Sequence, residues 1–135
     1  MFGVKQVFVD SRPDTLNIDA RLVEQATTPK IQAICIVHYG GVACEMEPIT
    51  RLTNKHNLLL IKDNAHGPLA KYKDQYIGTF STMATQSFHE TKNITCGAGG
   101  ALLINENSLV DRAEVPRDKG TNRTKFLRGQ VDKCT

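Results

Sequence analysis

Residues 33–39, Ala-Ile-Cys-Ile-Val-His-Tyr, form a nearly unbroken apolar run, too short for a typical helix and rich in β-branched side chains. Such a run predicts a strand buried on both faces, and Gly40-Gly41 ends it. A second apolar run, residues 58–63, closes on the charged Asp63. Between the two, Ile49 and Leu52 recur at helical spacing over residues 47–55, with Pro48 tolerated in the first turn. Strand, helix and strand in this order predict an α/β fold: a mostly parallel sheet flanked by helices.

The rest of the chain extends the pattern. Residues 4–10 are rich in valine and phenylalanine and predict a strand, broken by Ser11-Arg12-Pro13-Asp14. Residues 19–28 carry Leu22, Val23 and Ala26 at helical spacing, with Pro29 as the stop. Residues 71–79 predict a short polar hairpin around Lys73-Asp74, and residues 82–88 and 101–105 predict two more strands. Residues 107–115 predict a helix that Pro116 ends, because an interior proline costs about 3 kcal/mol. No internal repeat, low-complexity segment or domain boundary stands out.

Composition narrows the class. The 135 residues are 40% hydrophobic and 23% charged, enough apolar content to offset the entropy of folding. No apolar run approaches the roughly 20 residues a bilayer requires, so no membrane insertion is expected. The net charge of +3 is uneven: residues 117–135 hold six Lys/Arg against two Asp, leaving the remainder at −1. A solvated basic tail fits this better than a nucleic-acid arm. The first ten residues lack the apolar core of a secretory signal, so a cytoplasmic location with Cys35, Cys44, Cys96 and Cys134 reduced is expected.

Ligands of open α/β sheets sit beyond the carboxyl ends of the strands, which directs attention to His38-Tyr39, Asp63-Asn64 and Ser87-Phe88-His89. A zinc site is disfavoured. There is no Cys-x-x-Cys pair, and Cys35 and His38 fall on opposite faces of one strand. Gly97-Ala98-Gly99-Gly100 lacks the spacing of a dinucleotide fingerprint and reads as a tight bend between two strands. More informative are Asp63 at one strand end and Ser87 and Lys92 at or just beyond another. A lysine amine bonds covalently to aldehydes, a carboxylate can hold a proton on a pyridine nitrogen, and a serine hydroxyl can hold a phosphate. Those are the requirements of a pyridoxal phosphate site, although on spacing alone a solvated lysine and a strand-capping aspartate are the commoner reading.

Longer strings add to this reading. Residues 37–46 (VHYGGVACEM), 62–67 (KDNAHG), 87–93 (SFHETKN) and 117–123 (RDKGTNR) resemble, in order and over nearly the whole chain, the DegT/DnrJ/EryC1/StrS nucleotide-sugar aminotransferases. The resemblance implies the large domain of a fold-type I, pyridoxal 5'-phosphate-dependent transferase, with residues 1–135 as its central part and the domain's start and the C-terminal small domain absent. It implies Lys92 as the catalytic lysine that bonds the cofactor, Asp63 facing the pyridine nitrogen, His66 beside the ring and Ser87 on the phosphate. It further implies a nucleotide-sugar substrate, an amino-acid amino donor and a homodimer. Three positions depart from the family pattern: Lys62 replaces an acidic residue, Ala98 a glutamate and Pro116 an aliphatic residue. A truncated, inactive family member and a non-enzymatic α/β interaction module are the competing expectations.

Overall fold

The computed structural model describes residues 3–135, which form two compact units, one ending at Asn105 and one spanning Glu106–Thr135. The first unit is built on a four-stranded sheet. Its strands are β1 (Ala33–Val37), β2 (Leu59–Asp63), β5 (Met83–Ser87) and β6 (Gly100–Ile104), adjacent in that order. β1 pairs with β2 and β2 with β5 in parallel, whereas β6 returns antiparallel to β5. The predicted hairpin forms as β3 (Lys71–Tyr72) and β4 (Gln75–Tyr76), turning at Lys73-Asp74.

Two helices cover this sheet. In α1 (Ala20–Ala26) the Asp19 side chain accepts a hydrogen bond from the Arg21 amide at 2.9 Å, satisfying a helix-start donor that has no partner within the helix. In α2 (Met46–His56) the first turn carries Glu47, the last turn carries Lys55 and His56, and Asn57 ends the helix in a left-handed conformation. Ala20 and Val23 of α1 and Met46, Ile49 and Leu52 of α2 join Ile34, Ile36, Cys44 and Leu60 in one buried cluster.

That cluster lies on a single face of the sheet. Burial along β1 alternates, with Ile34 and Ile36 inside while Val37 is 45% exposed, and Leu59 on β2 is 43% exposed. The expected burial of these strands on both faces is therefore corrected. Both helices pack on the row holding Ile34, Ile36 and Leu60, so the row holding Val37 and Leu59 faces water. Residues 4–10 also differ from expectation, forming no strand. No strand of the sheet offers them a ladder, and backbone pairing beside them is limited to the isolated bridge between Ser11 and Ile18 and the Asp19 N–H to Asp10 O bond at 3.2 Å. The glycine-rich segment is not a tight bend either. It forms the returning limb of a loop over residues 88–99, closed by Phe88 N–H on Gly99 O at 2.8 Å and Glu90 N–H on Gly97 O at 3.0 Å.

The second unit holds α3 (Val110–Arg117), preceded by a 3-10 turn at Asn107–Leu109, and α4 (Arg123–Leu127). Pro116 lies inside α3 rather than ending it at residue 115; the helix stops one residue later. The basic tail is partly ordered: Arg128 pairs with Glu114 at 2.9 Å and Lys125 with Asp111 at 3.2 Å. All four cysteines are free thiols, with only Cys44 buried. No helix among the described residues is long and apolar enough to cross a membrane.

Candidate active site

The parallel register sets the site. Asp63 ends β2, aligned with Val37 of β1 and Thr85 of β5, and Ser87 ends β5 two residues further on. Side chains alternate along a strand. Lys62 therefore falls on the helix-covered face beside Ile36 and Ala84, while Asp63 falls on the opposite, half-exposed face. Asp63 Oδ1 accepts from the Ala65 amide at 3.0 Å and lies 3.5 Å from the Thr85 hydroxyl, so the carboxylate both closes the turn after β2 and faces the neighbouring strand.

That turn delivers His66. Its Nδ1 accepts the Gly40 amide at 3.2 Å, and its ring meets the Tyr39 ring edge-on with centroids 5.8 Å apart. Tyr39–Gly41 is a tight 3-10 turn after β1, with Gly40 at φ 59° and Gly41 at φ 80°, left-handed geometry that glycine adopts without steric strain. The backbone comes so close that a Cβ on Gly41 would stand 2.9 Å from His66 O.

Lys92 is carried by the loop after β5. The Ser87 hydroxyl accepts from the His89 amide at 3.4 Å, and the Lys92 amide donates to His89 O at 2.9 Å, which coils the segment back towards the sheet. The result is a cleft of about 380 Å³ lined by Gly40, Ala65, His66, Pro68, Thr91, Lys92 and Asn93. His66 and Lys92 thus share one cleft. Asp63 and Ser87 stand at the ends of those strands without lining it. Lys92 makes no ion pair among the described residues. A larger cleft, about 800 Å³ between α2 and the β3–β4 hairpin, contains none of the four.

A buried polar layer supports the site; the sequence marked His38 and Asn64 as strand-end residues and Lys62 as a departure from the family pattern, but not their joint burial. Asn64 is 4% exposed, and its Nδ2 donates to Gln86 Oε1 at 2.9 Å, tying β2 to β5, while its Oδ1 has no hydrogen-bond partner among the described residues. Gly67 must lack a side chain, because a Cβ there would lie 2.1 Å from Asn64 Oδ1 and 2.5 Å from Ile77 Cδ1. His38 is fully buried, and its Nδ1 accepts the Cys44 amide at 3.2 Å. Burial and the Lys62 charge push its pKa down to about 4, so the ring is neutral at pH 7. Lys62, also fully buried, donates to Ile77 O at 2.9 Å and lies 3.3 Å from the centre of the Phe80 ring; desolvation pushes its pKa down to about 8. The charged Lys62 within the apolar run of β2 was the available signal.

Comparison with known proteins follows the same lines. The DegT/DnrJ/EryC1/StrS aminotransferase family matches residues 1–133. An aminotransferase from Psychrobacter cryohalolentis is 30% identical with a TM-score of 0.84, over 94% of this chain and 32% of that one. PseC of Helicobacter pylori, an aminotransferase involved in pseudoaminic acid biosynthesis, is 30% identical with a TM-score of 0.83, over 88% of this chain and 32% of its own. DesI, solved with its TDP-sugar product, is 30% identical with a TM-score of 0.80, over 87% of this chain and 30% of its own. The chain spans about a third of the length of these structures.

Pyridoxal 5'-phosphate is the cofactor of this family. The side chains here fit it in kind: an amine and an imidazole share a cleft, with a carboxylate and a hydroxyl at the adjoining strand ends. With a family match over nearly its whole length and a strand order that brings these groups to one end of the sheet, the chain belongs to the DegT/DnrJ/EryC1/StrS aminotransferases.

Proposed function

We propose that this chain is the cofactor-binding segment of a nucleotide-sugar aminotransferase, with Lys92 as its catalytic lysine. The meeting of Lys92 with His66 in one cleft, beyond the strand ends marked by Asp63 and Ser87, carries the reading. Pyridoxal 5'-phosphate supplies an aldehyde carbon that bonds amines and a ring that accepts electron density. Lys92 provides the bonding amine and afterwards holds and returns a proton at Nζ. Asp63, kept in place by the Ala65 amide, would hold a proton on the pyridine nitrogen. His66 packs beside the ring, and the Ser87 hydroxyl binds the phosphate.

The proposed substrate is dTDP-4-keto-6-deoxyglucose, aminated with glutamate as donor to dTDP-4-amino-4,6-dideoxygalactose. The setting is cytoplasmic synthesis of cell-surface polysaccharide, such as lipopolysaccharide and enterobacterial common antigen, by a homodimer. Supporting this are the string Ser87-Phe88-His89-Glu90-Thr91-Lys92-Asn93 and the TDP-sugar product of the similar DesI. Residues 1–135 are the central part of the large domain in this reading.

The exposed sheet face around Val37 and Leu59 favours a second reading, in which the chain by itself binds no cofactor and is an inactive member or an interaction module. One experiment separates them. The chain is incubated with pyridoxal 5'-phosphate, reduced with borohydride and mapped by peptide mass. A pyridoxyl group on Lys92, lost in Lys92→Arg, supports the first reading. Labelling scattered over surface lysines, or none, refutes cofactor binding by this chain. Specific labelling of Lys92 without amino transfer from glutamate to the keto sugar refutes the proposed reaction and leaves the binding intact.

A further inference from the structure

His66 is held by a turn, and the turn is held by a residue far from it in sequence. Asn17 precedes α1, is 3% exposed, and uses both ends of its side-chain amide. Oδ1 accepts the Tyr39 amide at 2.9 Å, and Nδ2 donates to Val42 O at 3.0 Å. These two atoms bracket the Tyr39–Gly41 turn, whose other backbone bonds, apart from Gly40 N–H to His66 Nδ1, are internal: Gly41 N–H to His38 O at 3.1 Å and Val42 N–H to Tyr39 O at 3.0 Å. Two consecutive left-handed glycines give the turn little conformational preference of its own. Only a side chain carrying one donor and one acceptor can satisfy both of its ends.

From this geometry we infer that Asn17 is a positioning residue for His66, locking the turn whose Gly40 amide fixes His66 Nδ1 as an acceptor and leaves Nε2–H as the ring's donor. The Gly40 N–H can bond only an unprotonated Nδ1, so the neutral ring is held in one tautomer and one orientation. The consequence for cofactor binding rests on the function proposed above; the lock itself does not.

The test follows the Gly40 amide proton by NMR in the complete chain, without cofactor, while the His66 ring carbons report ring protonation. In the wild-type chain the Gly40 signal shifts with the same midpoint as the His66 ring, because protonating Nδ1 removes its acceptor. In folded Asn17→Ala that linked shift falls by at least about half, and in Asn17→Ser, whose single hydroxyl cannot span both ends, it is intermediate. A purely structural role for Asn17 lowers the melting temperature and leaves the linked shift whole. A full Gly40 response in folded Asn17→Ala, or none in the wild type, overturns the inference.

Hydrogen exchange on the wild type decides the matter if the variants do not fold. A single lock gives the Tyr39 and Gly40 amides protection within about threefold of each other, whereas Gly40 exchanging more than about tenfold faster overturns it. Pyridoxal 5'-phosphate failing to label wild-type Lys92 refutes the proposed function and leaves these spectra unaffected.

Discussion

Replacing Lys62 with methionine should stabilise the chain at neutral pH, by an amount that depends on pH in a defined way. The ammonium is completely buried on the covered face of β2, with the Ile77 carbonyl at 2.9 Å and the Phe80 ring beneath it. Desolvation lowers its pKa from 10.5 to about 8, which corresponds to about 3 kcal/mol against the charged form at pH 7. Methionine has a similar length and no charge to desolvate, but it leaves Ile77 O without a donor, a loss of about 1–2 kcal/mol. The net expectation is a gain of about 1–2 kcal/mol at pH 7. Because the folded value lies below the unfolded one, the unfolded chain binds more protons between pH 8 and 10.5, and wild-type stability rises across that window. The advantage of Lys62→Met therefore shrinks by about 3 kcal/mol between pH 8 and 10.5. Burial pushes Cys44 the other way, up to about 11, which weakens both proteins above pH 9, and only its coulombic coupling to Lys62 enters the difference between them. Urea unfolding followed by circular dichroism at several pH values from 7 to 10.5 measures that difference. A variant less stable than wild type by more than about 1 kcal/mol at pH 7, or a difference that does not change with pH, refutes the account of Lys62 as a penalised buried charge.

Two further outcomes follow from the buried layer. His38 has its folded pKa pushed down to about 4 by burial and the Lys62 charge, so the stability it contributes is complete above pH 6.5 and is lost as pH falls towards 4, by about 3 kcal/mol; His38→Gln should flatten that limb in an acid-unfolding series. Gly67→Ala should destabilise by about 1–3 kcal/mol, since the new methyl meets Asn64 Oδ1 and Ile77 Cδ1 well inside contact distance; an unchanged urea midpoint contradicts this.

The succession of elements is largely written in local chemistry. Short apolar runs made β1 and β2 visible, Asp19 and Pro29 bracketed α1, and Lys73-Asp74 stood out as a turn. Residues 4–10 have the composition of a strand but no partner, and composition cannot supply one. The runs in β1 and β2 are apolar on both faces, yet both helices pack on the same side, a fact set by chain connectivity rather than by residue type. Of the site, Lys92, Asp63 and Ser87 were marked by the chemistry that strand ends can host, and His66 by the family resemblance alone. The supporting roles of Asn17, Asn64 and Gly67 were not, because their work is done through hydrogen bonds and close approaches spanning distant positions, and such pairings leave no local pattern.

The loop that carries Lys92 is closed by contacts a short distance along the chain, between β5 and the antiparallel β6 that follows it. Forming it requires only a modest loop-closure entropy. His66 and Gly40 face each other only after the parallel pairing of β1 with β2, across an intervening helix. The two walls of the cleft therefore belong to different levels of folding. Fraying of β1 at the sheet edge releases the imidazole wall while leaving the amine where it is. Capture through Lys92 need not wait for the rest of the pocket, and the ordering of His66 around a captured ligand can be a separate, later event.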